Sequence, residues 1–195
     1  FSVAQEPSFP CSKPSVEDPL WLLRLVVLEA SHDILLIDGL DEVTEYFKST
    51  EDIAEAIAER ASSMGHTPRV AFLSFTTFGS PESDIVQTSR DAVAVLDRRK
   101  VTFEYEGEMT ADIALDFDLM QSRYPFSRLS GPANILVMPG LHSANISFKL
   151  MQQLGGGSVI GPMILNAEHP FQIIQMSATV NDLVNAAALA AYESL

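Results

Sequence analysis

A single cysteine, Cys11, is all the thiol chemistry in this chain, so no internal disulfide can form and a reducing, cytoplasmic setting is expected. Cys11 sits among prolines with no histidine nearby, which disfavours a nucleophilic role. Basic residues are scarce: 12 Lys and Arg stand against 26 Asp and Glu, for a net charge of −14. The basic footprint that nucleic-acid binding requires is missing, and an anionic membrane would repel such a surface. A small anion is still admissible, because backbone N–H groups at a helix start bind one without Lys or Arg. No apolar run is long enough to span a bilayer. The stretch from Leu20 to Leu28 is short, is broken by Arg24, and follows Glu17 and Asp18 where a signal peptide carries positive charge. There is no Walker lysine motif and no G-x-G-x-x-G. His32, His66 and His169 have no second ligand at metal spacing, so no metal site is read.

What is present is a globular composition: 195 residues, 47% apolar and 19% charged, enough for one sizeable domain or two small ones. The chain begins at Phe1 rather than Met, and it is expected to be a piece of a longer polypeptide. Residues 1 to about 19 carry Pro7, Pro10, Pro14 and Pro19 and read as an extended lead-in, while Leu20 to Leu28 reads as a buried strand or helix. Asp33–Asp38 is a strand candidate, and the acidic segment Asp38–Lys48 a loop. Ser49 caps a helix carried by Ile53, Ile57 and Ala61 and ended by Gly65. Arg69–Phe75 is the clearest strand, followed by a polar loop through Pro81 and a helix over Asp84–Arg99. Val101–Tyr105 alternates weakly as a strand, and Thr110–Met120 reads as a helix capped by Thr110. Asn134–Met138 is a buried strand and Ser143–Leu154 a helix closed by Gly155, Gly156 and Gly157. Val159–Leu165 and Phe171–Met176 are strand candidates, and Asn181–Glu193 is a closing helix with a small-residue face. Strands alternating with helices predict an α/β fold, a mostly parallel sheet with helices on both faces.

The segment from Ser122 to Leu150 is the densest in signals: two Pro-bearing turns, a short apolar strand and a helix start. It places a polar loop at the carboxyl end of a strand, where ligands bind in open α/β sheets. The loop from Ser74 to Ser80 has the same placing, with hydroxyls at Ser74, Thr76, Thr77 and Ser80 and close backbone approach permitted at Gly79. It is either an anion or coenzyme-phosphate site or an ordinary βα loop. Gly155–Gly157 caps a helix or lines a ligand, the cap being preferred. His142, Ser143 and Asn145 supply polar contacts at a helix start; no G-x-S-x-G elbow and no orienting carboxylate accompany them, so no catalytic residue is assigned. Glu106 and Glu108 flank Gly107 and read as a solvated face rather than an acid–base pair. Arg123 and Arg128 are the best anion forks, with surface ion pairing as the competing role.

Five segments in order carry a resemblance: PRVAFLSFTTFGSP (Pro68–Pro81), EGEMTADIAL (Glu106–Leu115), SRLSGPANILVMPGLHSANISFKL (Ser127–Leu150), LGGGSVIGPMI (Leu154–Ile164) and ATVNDLVNAAALAA (Ala178–Ala191). Together they resemble the phosphotransacetylase (phosphate acetyl/butyryltransferase) family from about Ser49 to the end, and in particular the C-terminal phosphotransacetylase-like domain of bacterial NADP-dependent malic enzymes. Residues 1–40 are left unplaced and 41–195 are assigned to the C-terminal part of that domain. Active members carry a Ser-Arg-Gly shortly before an acidic residue. Aligned on Asp182, that tripeptide falls on Gln175, Met176 and Ser177, so the acid remains while a thioether replaces the guanidinium. Active members also commonly hold a polar or basic residue where this chain has Phe78. Loss of a preorganised cation from an anionic transition state should cost several orders of magnitude in rate.

The resemblance implies an acyl-CoA-binding regulatory domain that takes acetyl-CoA as ligand and does no acyl transfer. Its partner would be the malic-enzyme half of the same polypeptide, which would hold the NADP and the divalent metal, and the assembly would be a homo-oligomer. It places the coenzyme among Ser74, Thr76, Thr77, Gly79 and Ser80, among Ser127, Arg128, Gly131 and Asn134, at the turn before Asn145, and near Asp182. A working phosphate acetyl- or butyryltransferase, with Arg123 or Arg128 replacing the lost arginine, is the alternative. A structural dimerisation unit built on the small-residue helix is a third.

Overall fold

In strand β3 (Arg69–Leu73) the side chains divide cleanly between two cores. Val70 and Phe72 enter one cluster, Ala71 and Leu73 the other, and all four are 5% exposed or less. Strand β5 (Ile135–Val137) divides the same way, Ile135 and Val137 against Leu136. A strand with no wet face must lie inside a sheet covered on both sides, which is why these runs read as continuous apolar stretches. The computed structural model describes residues 21–27, 33–37, 50–79, 83–154, 158–165, 171–174, 176 and 178–193.

With β1 (Trp21–Val27), β2 (Asp33–Ile37), β4 (Glu104–Met109) and β6 (Ser158–Leu165), the two central strands form a sheet of order β4-β3-β5-β2-β1-β6. The pairs β3/β4, β3/β5 and β2/β5 are parallel, and among the described strands only β1 runs against its neighbours. The mostly parallel α/β sheet read from the sequence is therefore the one found. On one face lie α1 (Thr50–Ser63) and α2 (Asp84–Arg99), packing Ile53, Ile57, Ala61, Ala92 and Leu96 against Val70 and Phe72. Helix α6 (Val180–Glu193) joins this side through Leu189, and the Tyr192 hydroxyl donates to the Ser63 carbonyl at 2.6 Å. On the other face α3 (Ala111–Leu115), α4 (Phe117–Arg123) and α5 (Leu141–Leu154) contribute Ile113, Ala114, Met120, Ala144 and Phe148.

Local signals set the helix ends. Gly65, at φ +88°, closes α1 while the His66 N–H bonds to the Ala61 carbonyl. Ser83 caps α2 by accepting from the Val86 N–H at 3.3 Å, and Lys100 ends it in the left-handed region at φ 54°.

Several expectations require correction. The strand read at Val101–Tyr105 is displaced to Glu104–Met109, because Glu106 and Glu108 are buried in ion pairs with arginines and no longer mark a boundary. The single helix over Thr110–Met120 is two, broken at Asp116, whose carboxylate turns back to accept from the Leu119 N–H at 2.9 Å. Thr110 occupies the cap position but makes no side-chain capping bond. Phe171–Met176 is no strand among the described residues; only a bridge between Gln172 and Met163 forms, with Ile173 and Ile174 exposed. The unplaced residues 1–40 include β1 and β2, which sit within the sheet and pair β5 to β6. Residues 1–20, the acidic loop, the Ser49 cap and Gly155–Gly157 lie outside the described residues.

The β3–β4 ladder slips one residue between Phe72↔Gly107 and Leu73↔Met109. At Gly107, φ +158°, a Cβ would come within 2.7 Å of the Phe72 Cβ and 2.9 Å of its carbonyl oxygen. Gly107→Ala is expected to lower stability by about 1–3 kcal/mol; urea unfolding with an unchanged midpoint would contradict this packing.

Candidate functional site

Strand β3 is followed by a connection through α2 on one face to β4, and β5 by α5 on the other face. Adjacent parallel strands whose connections leave on opposite faces open a crevice at their carboxyl ends. The loop from Ser74 to Gly79 borders that crevice. It is fastened at several points. The Ser74 N–H donates to the Met109 carbonyl at 2.8 Å and the Phe78 N–H to the Glu108 carbonyl at 3.1 Å. Thr77 Oγ1 accepts from the Thr110 N–H at 2.9 Å and lies 3.0 Å from the Thr110 hydroxyl. Thus Thr110 holds this loop instead of capping α3. The Gly79 N–H donates to Glu108 Oε1 at 3.2 Å, and Arg90 Nη2 donates to the Gly79 carbonyl at 2.7 Å. Phe78 sits at φ 44°, and its ring meets Tyr124 at 5.3 Å and Phe126 at 5.0 Å edge to face. Ser74 Oγ is buried and has no hydrogen-bond partner among the described residues.

Arg90 grips Glu108 through Nε and Nη2, both at 2.8 Å. The carboxylate side chain is only 1% exposed. Burial would raise its pKa, but Arg90 and the N–H of Gly79 outweigh burial and hold the carboxyl below its ordinary range. A second ionic group lies along the β4 edge. Arg128 donates to Glu106 from Nε at 3.1 Å, from Nη2 at 3.0 Å and from its backbone N–H at 3.0 Å, and reaches Asp97 through Nη1. Its guanidinium lies 4.6 Å from the Tyr105 ring centroid. The Tyr105 hydroxyl donates to Asp97 at 2.6 Å, and burial together with that carboxylate pushes the phenol up to about 12. Glu106 and Glu108 are thus a buried pair, not a solvated face, and the Arg128 fork is taken up by carboxylates rather than held open for an anion. No sequence spacing links Arg90 to Glu108, and that pairing was not legible before the fold.

The expected site residues do not all meet. Ser74, Thr76, Thr77 and Gly79 share one loop at the carboxyl end of β3; Ser80 lies outside the described residues. Asn145 is exposed on α5, which starts at the same end of β5; with His142, Ile146, Lys149, Leu150 and Gln153 it lines an open groove of about 560 Å³ that runs along the outer face of that helix. Ser143 Oγ donates to the Gly140 carbonyl at 2.7 Å, the polar contact read at this helix start. Asp182 also stands toward the carboxyl end, since the far end of α6 contacts Ser63 below β3. There it closes a reciprocal cap: Asp182 Oδ2 accepts from the Thr179 N–H and hydroxyl, both at 2.8 Å, and the Asp182 N–H donates to Thr179 Oγ1 at 3.3 Å. These contacts hold its carboxyl low.

Gly131 and Asn134 are at the opposite end. Asn134 accepts from the Arg69 N–H at 2.8 Å and donates to the Thr67 carbonyl at 2.9 Å, tying together the beginnings of β3 and β5. Gly131 makes room for the Arg69 guanidinium, which lies 3.2 Å from where a Cβ would stand and donates to the Pro132 carbonyl at 2.7 Å. A strand length, about 16 Å, separates them from Ser74. Ser127, with Oγ 3.1 Å from Met120 Sδ, and Arg128 run along the sheet edge between the two ends. Among the described residues no group of three His, Cys, Asp or Glu is placed to hold a metal ion, and no helix is long and apolar enough to cross a membrane.

The sequence profile of the phosphate acetyl/butaryl transferase family matches residues 46–191. The chain belongs to that family. Its relatives divide by length. An NADP-dependent malic enzyme of Rhizobium meliloti is 53% identical over 73% of this chain and 19% of its own length. A probable NADP-dependent malic enzyme of Rickettsia prowazekii is 41% identical over 87% of this chain and 23% of its own. A phosphate acetyltransferase of Paracoccus denitrificans is 35% identical over 67% and 41%. A solved phosphotransacetylase from Staphylococcus aureus superposes with a TM-score of 0.78 at 27% identity, over 94% of this chain and 56% of that one. The chain therefore spans about a fifth of the malic enzymes it matches and about half of the phosphotransacetylase.

Within this family fold the Glu108 carboxylate contributes stability that is present above its ordinary value of about 4.5 and is lost as pH falls through its lower folded value. Urea midpoints measured between pH 3 and 6 should fall steeply on the acid side for the native chain and less steeply for Glu108→Gln; parallel curves would rule out the buried pair. Arg90→Ala should destabilise by about 2 kcal/mol, discounted because the guanidinium is partly exposed.

Proposed function

We propose that this chain is the ligand-binding phosphotransacetylase-like domain of a cytoplasmic NADP-dependent malic enzyme, one that senses acyl-CoA, acetyl-CoA above all, and does not itself transfer acyl groups. The reading is carried by the 53% identity to the Rhizobium meliloti malic enzyme. It is supported by Met176, a fully exposed thioether three residues before Thr179, in the place where the family resemblance expects an arginine. Oxidative decarboxylation of malate, with its NADP and divalent metal, would belong to the rest of that polypeptide, and the assembly would be a homo-oligomer. The ligand would lie at the carboxyl end of the sheet, against the Ser74–Gly79 loop, the start of α5 and the start of α6. Backbone N–H groups and hydroxyls supply the polar contacts there.

The acyltransferase alternative has the Paracoccus phosphate acetyltransferase in its favour, at 35% identity. It needs a cation on the transferring group, and Arg128 is already engaged by Glu106 and Asp97. Titration calorimetry with acetyl-CoA is expected to show binding, while a coupled assay for acetyl transfer from coenzyme A to phosphate shows no turnover. Measurable transfer would overturn the sensor reading in favour of the enzyme, and its survival on replacing Arg123 and Arg128 with Ala would show that neither does the missing arginine's work.

A further inference from the structure

The Gly79 peptide is held at both ends by one ion pair. Its N–H reaches Glu108 Oε1 at 3.2 Å, and its carbonyl takes Arg90 Nη2 at 2.7 Å, while the same two side chains bind each other through two contacts of 2.8 Å. The residue before it, Phe78, is held in the left-handed region by its N–H on the Glu108 carbonyl. A bulky aromatic residue stays in that region only where the surroundings over-determine it. Glu108 can do this because the slip in the β3–β4 ladder makes it the extra residue of β4 and turns it out of the strand pairing. Arg90 can do it because α2 leaves the same loop and brings the guanidinium back over it. An ion pair of this kind adds little stability over an apolar pair of equal volume, but here both of its members also hold the Gly79 backbone, which an apolar pair could not do.

We infer that Arg90 and Glu108 are positioning residues, which set the shape of the Ser74–Gly79 loop and through it the affinity for the acyl-CoA taken up at the carboxyl end of the sheet. The inference rests on the reading of that loop as part of the ligand site.

The test uses the full chain, with acetyl-CoA as the probe and calorimetric affinity as the readout. Beside it run the thermal midpoint and the hydrogen exchange of the Phe78 and Gly79 amides. Arg90→Lys keeps the charge but loses the fork, and should weaken binding by about tenfold. The double variant Arg90→Met with Glu108→Leu should melt near the native temperature, bind at least as poorly as Arg90→Lys, and exchange the two amides faster. Arg99→Ala, on the same helix but paired with Asp52 and Glu55, should leave affinity unchanged. If the double variant does not fold, Arg90→Lys decides. Native-like affinity in a folded variant overturns the inference and leaves the sensor reading standing. Failure of the native chain to bind acetyl-CoA removes the reading, and the inference with it.

Discussion

The two-sided burial of β3 is the constraint on which the rest of this structure depends. A strand with Val70 and Phe72 in one core and Ala71 and Leu73 in the other cannot stand at an edge. It must have neighbours on both sides and helices above and below. Those helices have to be delivered by connections of fixed hand, so consecutive strands add to one side or the other. Here β4 is added on one side and β5 on the other, with α2 and α5 on opposite faces. The crevice between the carboxyl ends of β3 and β5 follows from that arrangement. The candidate site is therefore a product of topology before any polar residue is considered.

Strand β4, at the sheet's edge among the described strands, shows how a strongly acidic chain meets the cost of burying carboxylates. Glu106 and Glu108 are 5% and 1% exposed, and each is matched by an arginine from another element, Arg128 and Arg90. Removing either arginine would leave an unpaired buried charge, which costs more than the intact pair contributes. The same pairing has a geometric effect. Arg128 draws the segment after α4 along the β4 edge, where Ser130 also bonds Glu104, and Arg90 draws the loop after β3 onto its own helix. Two ion pairs thus set the course of two loops that have few backbone bonds of their own.

The sequence conveyed the elements with strong periodicity and missed those set by charge pairing. Helix α2 was legible residue for residue because Ser83, the apolar spacing and the terminal arginines all agree. Strand β4 was misplaced because two glutamates in a short run look like solvent exposure, and only their partners, 22 and 18 residues away, reveal otherwise. The break at Asp116 was hidden because Asp caps a helix and also sits within one. Of the site, the Ser74–Gly79 loop was legible because a polar run after a buried strand has one place to go. The distance of Gly131 and Asn134 from it was not legible, for a reason of register: residues just before a strand lie at its amino end, a strand length from the crevice, and Asn134 spends its amide on Arg69 and Thr67.

The distribution of cations bears on how such a chain could hold an anionic coenzyme. Among the arginines, Arg90, Arg99 and Arg128 are all bound to carboxylates. A phosphate arriving at the carboxyl end of β3 would find these three guanidinia already engaged, and would meet backbone N–H groups and the first turn of α5, while the Asp182 carboxylate occupies the first turn of α6. Helix starts and exposed N–H groups attract an anion with partial charges that do not depend on pH. Such donors also stabilise charge that develops in a transition state when they are aimed at it, so they serve binding and group transfer alike. The position that separates the two is Met176, where an exposed thioether offers dispersion contact and no charge.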